Sequence, residues 1–213
     1  MALLRANDFR GSQLSCLFGI IRGICDDMQA IDALLQRRSA KALTAPAPDE
    51  AALDLILASA VAAPDHGRLR PWRFVVIQGN GLDRFGELLA EHLRREHPNS
   101  SAEVLQREKQ KAFRAPMIVV VAAICTPGGK IPVIEQVLAA GAAAQNIMLA
   151  AQALGFNSMW KTGGPAYDEQ VKVALGLEAK DAIVGFMYLG TETSRPDAAP
   201  RAPWQDLVRH WQG

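Results

Sequence analysis

The chain has 213 residues, 49% of them hydrophobic, which is enough for one well-buried core. Its 23 Lys and Arg nearly balance its 22 Asp and Glu, and the formal net charge of +1 argues against a nucleic-acid surface, which carries a basic excess. Cys16, Cys25 and Cys125 form no CxxC pair, and the four histidines show no HExxH spacing. Neither a disulfide framework nor a metal centre is supported, and a reduced, cytoplasmic chain is expected.

Residues 14–25 read LSCLFGIIRGIC. The run is too short to span a bilayer and lacks the small-residue cleavage site of a signal peptide, so no membrane association is expected. Residues 1–27 admit two readings. They are either an extension ahead of a working start at Met28 or an accessory helix on a partner subunit. From residue 28 to residue 213 a single domain is expected.

Met28, Ile31, Leu34 and Leu35 recur at helical spacing and lead into Arg37, Arg38 and Ser39. After a loop with Pro46 and Pro48, Asp49 is a good N-cap for a helix carried by Leu53, Ile56, Leu57 and Ala60, which Pro64 ends. PDHGRLRP (residues 64–71) is a polar turn, and WRFVVI (72–77) reads as a strand. A turn is expected at residues 79–81 and a helix over 83–96, with Phe85, Leu88, Leu89 and Leu93 inward.

Residues 97–113 are polar, with a loop and one short charged helix. They suit either a lid or a plain solvated surface. MIVVVAAI (117–124) is apolar without alternation and suits a central strand buried on both faces. The alanine-rich stretch 133–154 predicts a long helix apolar almost all round, hence buried in the core or in a subunit interface, with Gly155 as its C′ residue. A short strand at 156–160 precedes the loop Lys161, Thr162, Gly163, Gly164 and Pro165. Asp168 caps a short helix ending near Gly176, AIVGFMYL (182–189) is the last strand, and the tail ends in an amphipathic segment with Trp204, Leu207, Val208 and Trp211. About four strands and six helices indicate an α+β or α/β sandwich.

Three segments can bind a ligand. Arg37, Arg38 and Ser39, with Lys41 beyond, offer guanidinium and hydroxyl donors to a phosphate. Basic residues are also simply favoured at a helix C-terminus. His66, Arg68 and Arg70 sit on a loop between rigid elements, where binding residues are common and solvated arginines are too. Trp160, Lys161, Thr162 and Gly163 leave a strand for a glycine turn that a planar ligand can approach closely. Neither GxGxxG nor GxxxxGK[ST] is present, and no catalytic triad or paired-carboxylate motif is visible.

The order of these segments carries a resemblance. RRSAKAL, APDHGRLRPWRFVVI, a buried strand, an alanine-rich helix, GFNSMWKTGG and IVGFMYLGT together resemble the FMN-dependent nitroreductase family, in particular its small YdjA-type subgroup of NAD(P)H nitroreductases. The resemblance runs from about Met28 to Thr191. It implies an α+β fold around a mainly antiparallel sheet flanked by helices, and a homodimer with FMN sites at the interface. By the same resemblance, Arg37, Arg38 and Ser39 hold the FMN phosphate and ribityl chain, with Lys41 near the pyrimidine, where positive charge stabilises reduced flavin. His66 contacts the flavin across the dimer. Arg68 and Arg70 stand where many relatives have Asn and Gln, a departure at the pyrimidine edge. Trp160, Lys161, Thr162 and Gly163 pack against the isoalloxazine, and Arg195 matches a late phosphate ligand. Ala150, Ala151, Gln152, Ala153, Leu154 and Gly155 match an NAD(P)H-binding stretch.

The implied activity is hydride transfer from NAD(P)H through FMN to a nitroaromatic, quinone or similar small acceptor, with ping-pong kinetics. Two other expectations stand beside it. One is a specialised reaction on the same fold, such as dehalogenation or flavin fragmentation, which an aromatic clamp in the lid segment would favour. The other is a flavin-binding protein with little turnover.

Overall fold

In the computed structural model, which describes residues 29–194 and 201–213, every strand pairing is antiparallel. The elements are α1 (Ala30–Gln36), β1 (Leu43–Thr44), α2 (Glu50–Val61), β2 (Trp72–Gln78), α3 (Asn80–Glu96), α4 (Ala102–Gln110), β3 (Met117–Ala123), α5 (Val133–Ala153), β4 (Asn157–Lys161), α6 (Gly164–Tyr167), α7 (Glu169–Ala174) and β5 (Ala182–Glu192). The sheet runs β1-β5-β3-β2, with β4 also paired to β5.

β3 explains the layering. All seven of its residues are buried, because each face of the sheet is covered by helices. Ile118, Val120 and Ala122 meet Leu82, Phe85 and Leu89 of α3 on one side. Met117, Val119, Val121 and Ala123 meet α2 and the alanines of α5 on the other. Alternate residues of a strand face opposite ways, so two covered faces demand an unbroken apolar run.

α5 is long and apolar enough to cross a membrane, yet Ala140, Ala143, Ala144, Ile147 and Ala151 lie buried against the sheet and α2. Its burial is one-sided, since Ile134 and Leu138 are more than 60% exposed in the single chain. The helix closes as anticipated. Gly155 adopts φ 82°, its N–H donates to Gln152 (3.0 Å), and the Phe156 N–H donates to Ala151 (2.9 Å), a Schellman motif. Asp49 accepts from the Ala52 N–H at 2.8 Å, and Asp168 caps α7.

Four features depart from the sequence reading. The turn expected at residues 79–81 is the first turn of α3, with Gly79 at the N-cap. A first turn has no intrahelical N–H bonds to lose, so Asn80 and Gly81 are tolerated there. β1 has two residues, too few for a period, and exists because β5 extends to Glu192. α6 forms in a stretch that reads as loop, with Pro165 in its first turn, where the missing N–H costs nothing. The amphipathic tail yields one 3-10 turn, Gln205–Leu207, and leaves Trp204 and Trp211 exposed.

β5 carries a bulge opposite Val121 and Ala122, at Val184. The Val184 carbonyl accepts from the Trp160 indole N–H at 3.2 Å, and the indole lies over Gly185. A Cβ at Gly185 would stand 2.2 Å from Trp160 Nε1. Gly185→Val is therefore expected to cost about 2 kcal/mol through overpacking and the lost indole hydrogen bond, read as a lowered denaturant midpoint. An unchanged midpoint would mean that Trp160 has another place to go.

Candidate functional site

Three places gather the candidate residues. The first begins at the C-cap of α1. Arg38 turns inward and bridges Glu192 with both guanidinium nitrogens, each at 2.6 Å, and Asn157 donates to the same carboxylate at 2.9 Å. Arg37 points elsewhere. Arg201, from the tail, donates to the carbonyls of Leu35 (3.3 Å) and Arg37 (2.5 Å). Burial, and then the nearby Arg201 guanidinium, lower the Arg37 pKa, and no carboxylate neutralises this pair of cations among the described residues. Ser39 and Lys41 are exposed. Between them the Ala40 N–H donates to the Ser158 carbonyl at 2.9 Å, which stitches the segment to β4.

Beside Arg38 lies a cleft of about 280 Å³ that also takes in Gln152, Gly155 and Phe156. The Gln152 side-chain Nε2 is buried without a hydrogen-bond partner, an uncommon and costly state for an amide. Of the stretch 150–155, Gln152 and Gly155 thus line a cavity. Ala151 is fully buried in the core and cannot touch a ligand without repacking.

The second place is the loop after β4. Lys161, Thr162 and Gly163 form one wall of a cleft of about 390 Å³ between that loop, α3 and the end of α4. Segment 97–113 is the facing wall and not a free lid. Ser101 caps α4, Ala112 is fully buried, and α4 crosses α3 so closely that a Cβ at Gly86 would stand 3.0 Å from the Lys109 carbonyl oxygen.

A network absent from the sequence reading holds this loop. His92 Nδ1 lies 2.6 Å from Asp168 Oδ2, Arg95 donates to the same oxygen at 2.8 Å, and the Gln170 and Val171 N–H groups donate to Oδ1 at 2.7 and 3.0 Å. Burial pushes the Asp168 carboxyl up, but Arg95, His92 and the two amides outweigh it and hold it well below the usual carboxylate range. The His92 ring fills the space over Gly164, where a Cβ would be 2.5 Å from Nε2. The only sequence signal was Asp168 as a cap, because 76 residues separate the two partners.

The third place is the loop at residues 64–71. His66 pairs with Glu135 in the first turn of α5. Gly67 takes φ 69°, and Arg68 and Arg70 take φ 57° and 49°, a left-handed conformation that costs side-chain-bearing residues energy and clusters at functional loops. The Asp65 carboxylate holds the loop by accepting from the Arg70 N–H at 2.7 Å. Glu135 and Gln152 are separated by about 25 Å along α5 at 1.5 Å per residue. One chain therefore does not bring His66, Arg68 and Arg70 together with Arg38 and Gln152. Arg195 lies outside the described residues.

The Nitroreductase family pattern matches residues 34–191, through all three places. The chain belongs to the nitroreductase family. It is 36% identical over 176 residues to YdjA of Escherichia coli strain K12, a protein named for NAD(P)H nitroreductase activity, covering 83% of this chain and 95% of that one. A nitroreductase-like family protein from Bacillus cereus superposes with a TM-score of 0.77 at 24% identity, over 88% of this chain and 98% of the other. A Desulfovibrio desulfuricans protein described as a nitroreductase, solved in complex with FMN, gives a TM-score of 0.66 at 26% identity, over 85% and 95%. The nitroreductase-like α+β architecture with an antiparallel sheet is thus as expected.

Proposed function

We propose that this nitroreductase-family chain binds FMN and, as a cytoplasmic homodimer, uses NAD(P)H to reduce small acceptors such as nitroaromatics and quinones. The observation that carries the reading is the Ala40–Ser158 hydrogen bond. It aligns the cationic segment with β4, whose loop reaches Thr162 four residues later, about 13 Å on at 3.3 Å per residue. A phosphate end and a flat-ring end along one strand suit a flavin mononucleotide. Two further features fit that group. The Arg37–Arg201 cation pair lacks a counter-ion among the described residues, and Gly163, at φ 116°, leaves its surroundings open to a planar ligand.

In this reading Arg37, Ser39 and Lys41 hold the phosphate and ribityl end. Trp160, Lys161, Thr162 and Gly163 flank the ring, and the orphaned Gln152 amide donates to cofactor or nicotinamide. Arg38 contributes indirectly, by fixing the segment to Glu192. Bound FMN supplies the hydride relay, and the protein binds, orients and tunes it. For a nitro acceptor the net change is ArNO₂ + NAD(P)H + H⁺ → ArNO + NAD(P)⁺ + H₂O, the proton coming from solvent.

The homodimer draws its support from unpartnered apolar side chains. Ile31, Leu35, Ile134, Leu138, Trp204 and Trp211 are all more than 60% exposed in the single chain. The roughly 25 Å of α5 between Glu135, which His66 meets, and Gln152, which lines the Arg38 cleft, adds a second reason, since a second copy can supply His66, Arg68 and Arg70 to this chain's site.

An anaerobic absorbance spectrum before and after NADPH tests the proposal. A flavin band that bleaches, and returns on adding a quinone or nitroaromatic, is the expected result. A band indifferent to NADPH and NADH would favour storage or another donor, and a colourless protein that takes up no FMN would overturn the reading.

A further inference from the structure

The 390 Å³ cleft between α3, α4 and the β4–α6 loop has the size of a small-molecule site, about 300–1,000 Å³. Its composition is divided. The floor is apolar and aromatic, with Phe85 and Phe186 tilted at 50° and their centroids 5.3 Å apart. The rim is charged. Lys111 is committed to Glu108, its Nζ 2.7 Å from Oε1. Arg114 and Lys161 have no carboxylate partner among the described residues, and Glu96 is the one remaining acid. Set beside each other, Lys111, Arg114 and Lys161 outweigh Glu96 and Glu108 by one positive charge.

Tyr188 closes the floor. Burial pushes its phenol up to about 12, with Arg114 pulling the other way and Glu108 adding to the rise, so the hydroxyl is a neutral donor in the cleft that Arg114 also lines. A guanidinium without a carboxylate partner and a neutral hydroxyl, lining one cleft with two aromatic rings, have the chemistry of a receptor for an aromatic carboxylate.

We propose that this cleft binds an aromatic carboxylate, with its ring against Phe85 and Phe186 and its carboxylate on Arg114 and the Tyr188 hydroxyl, and Lys161 at the mouth. Because Thr162 and Gly163 form the wall shared with the flavin loop, the occupant is the electron acceptor, and the acceptor class narrows to aromatic acids. The binding claim stands on the cleft alone. The acceptor claim rests on the flavin reading above.

Calorimetric titration with 4-nitrobenzoate, nitrobenzene and cyclohexanecarboxylate separates the parts. 4-Nitrobenzoate should bind about tenfold more tightly than either of the others, since each of them lacks one of the two recognised features. Arg114→Gln should remove the advantage over nitrobenzene and leave nitrobenzene binding unchanged, and Arg114→Lys should restore part of it. Equal affinity for 4-nitrobenzoate and nitrobenzene in the unaltered protein would overturn the proposal, as would an Arg114→Gln loss that falls equally on both. Steady-state KM values with the same acceptors test the acceptor role. Tight 4-nitrobenzoate binding to a protein that takes up no FMN would sink the flavin reading and keep the receptor. NADPH-driven turnover with no preference for the acid would keep the flavin and sink the acceptor role, with the receptor itself decided by the calorimetry.

Discussion

Asp168→Ala is expected to destabilise the protein by about 4 kcal/mol, since it removes one partner of a buried charged network and leaves the others unpaired. The Asp168 side chain is only 10% exposed and His92 11%, so neither His92 nor Arg95 regains full hydration once the carboxylate is gone. The substitution also removes the cap of α7, itself about 1 kcal/mol. Asp168→Asn keeps a cap acceptor and should cost less. The pH dependence gives an independent check. The folded-state pKa of Asp168 is depressed, so its stabilisation is complete above the unfolded value of about 3.9 and drains away as the pH falls below it. The gap in denaturant midpoint between the unaltered protein and Asp168→Asn should therefore be widest near neutrality and narrow below about pH 4. A gap independent of pH would mean that the carboxylate charge is not what holds the network. Because His92 fills the space over Gly164, the same substitutions should loosen the loop that the flavin reading uses.

Arg37→Gln and Arg38→Gln should fail in opposite ways, although the residues are neighbours. Arg37 faces Arg201 with no counter-ion among the described residues. Its loss should leave the fold intact and weaken FMN by about 2 kcal/mol, roughly 30-fold, the worth of a charge-assisted hydrogen bond to phosphate. Quenching of flavin fluorescence on titration reads this directly. Arg38 is spent on Glu192, with side-chain exposures of 16% and 11%. Its loss should cost about 3 kcal/mol of stability by stranding that carboxylate on Asn157 alone. FMN affinity unchanged in Arg37→Gln would remove Arg37 from the phosphate site, and a stable Arg38→Gln that binds FMN weakly would exchange the two roles.

What the amino-acid sequence determined by itself is whatever depends on neighbours along the chain. The 3.6-residue period of α2, α3 and α5, the unbroken apolar run of β3, the Asp49 and Asp168 caps and the Gly155 terminus were all legible, because each is a short-range matter of spacing or backbone conformation. The resemblance in motif order named the right family. Tertiary structure alone decided which arginine is free. Arg38 and Glu192 lie 154 residues apart, and nothing in the pattern RRS says which guanidinium meets a distant carboxylate. The same holds for His92 and Asp168, for the two-residue strand β1, and for the cleft that joins Arg114, Tyr188 and Lys161 from three separate elements. Periodicity assigns a residue to a face. Only the pairing of strands and the crossing of helices bring two faces together, and ion pairs, orphaned amides and cavities form where they meet.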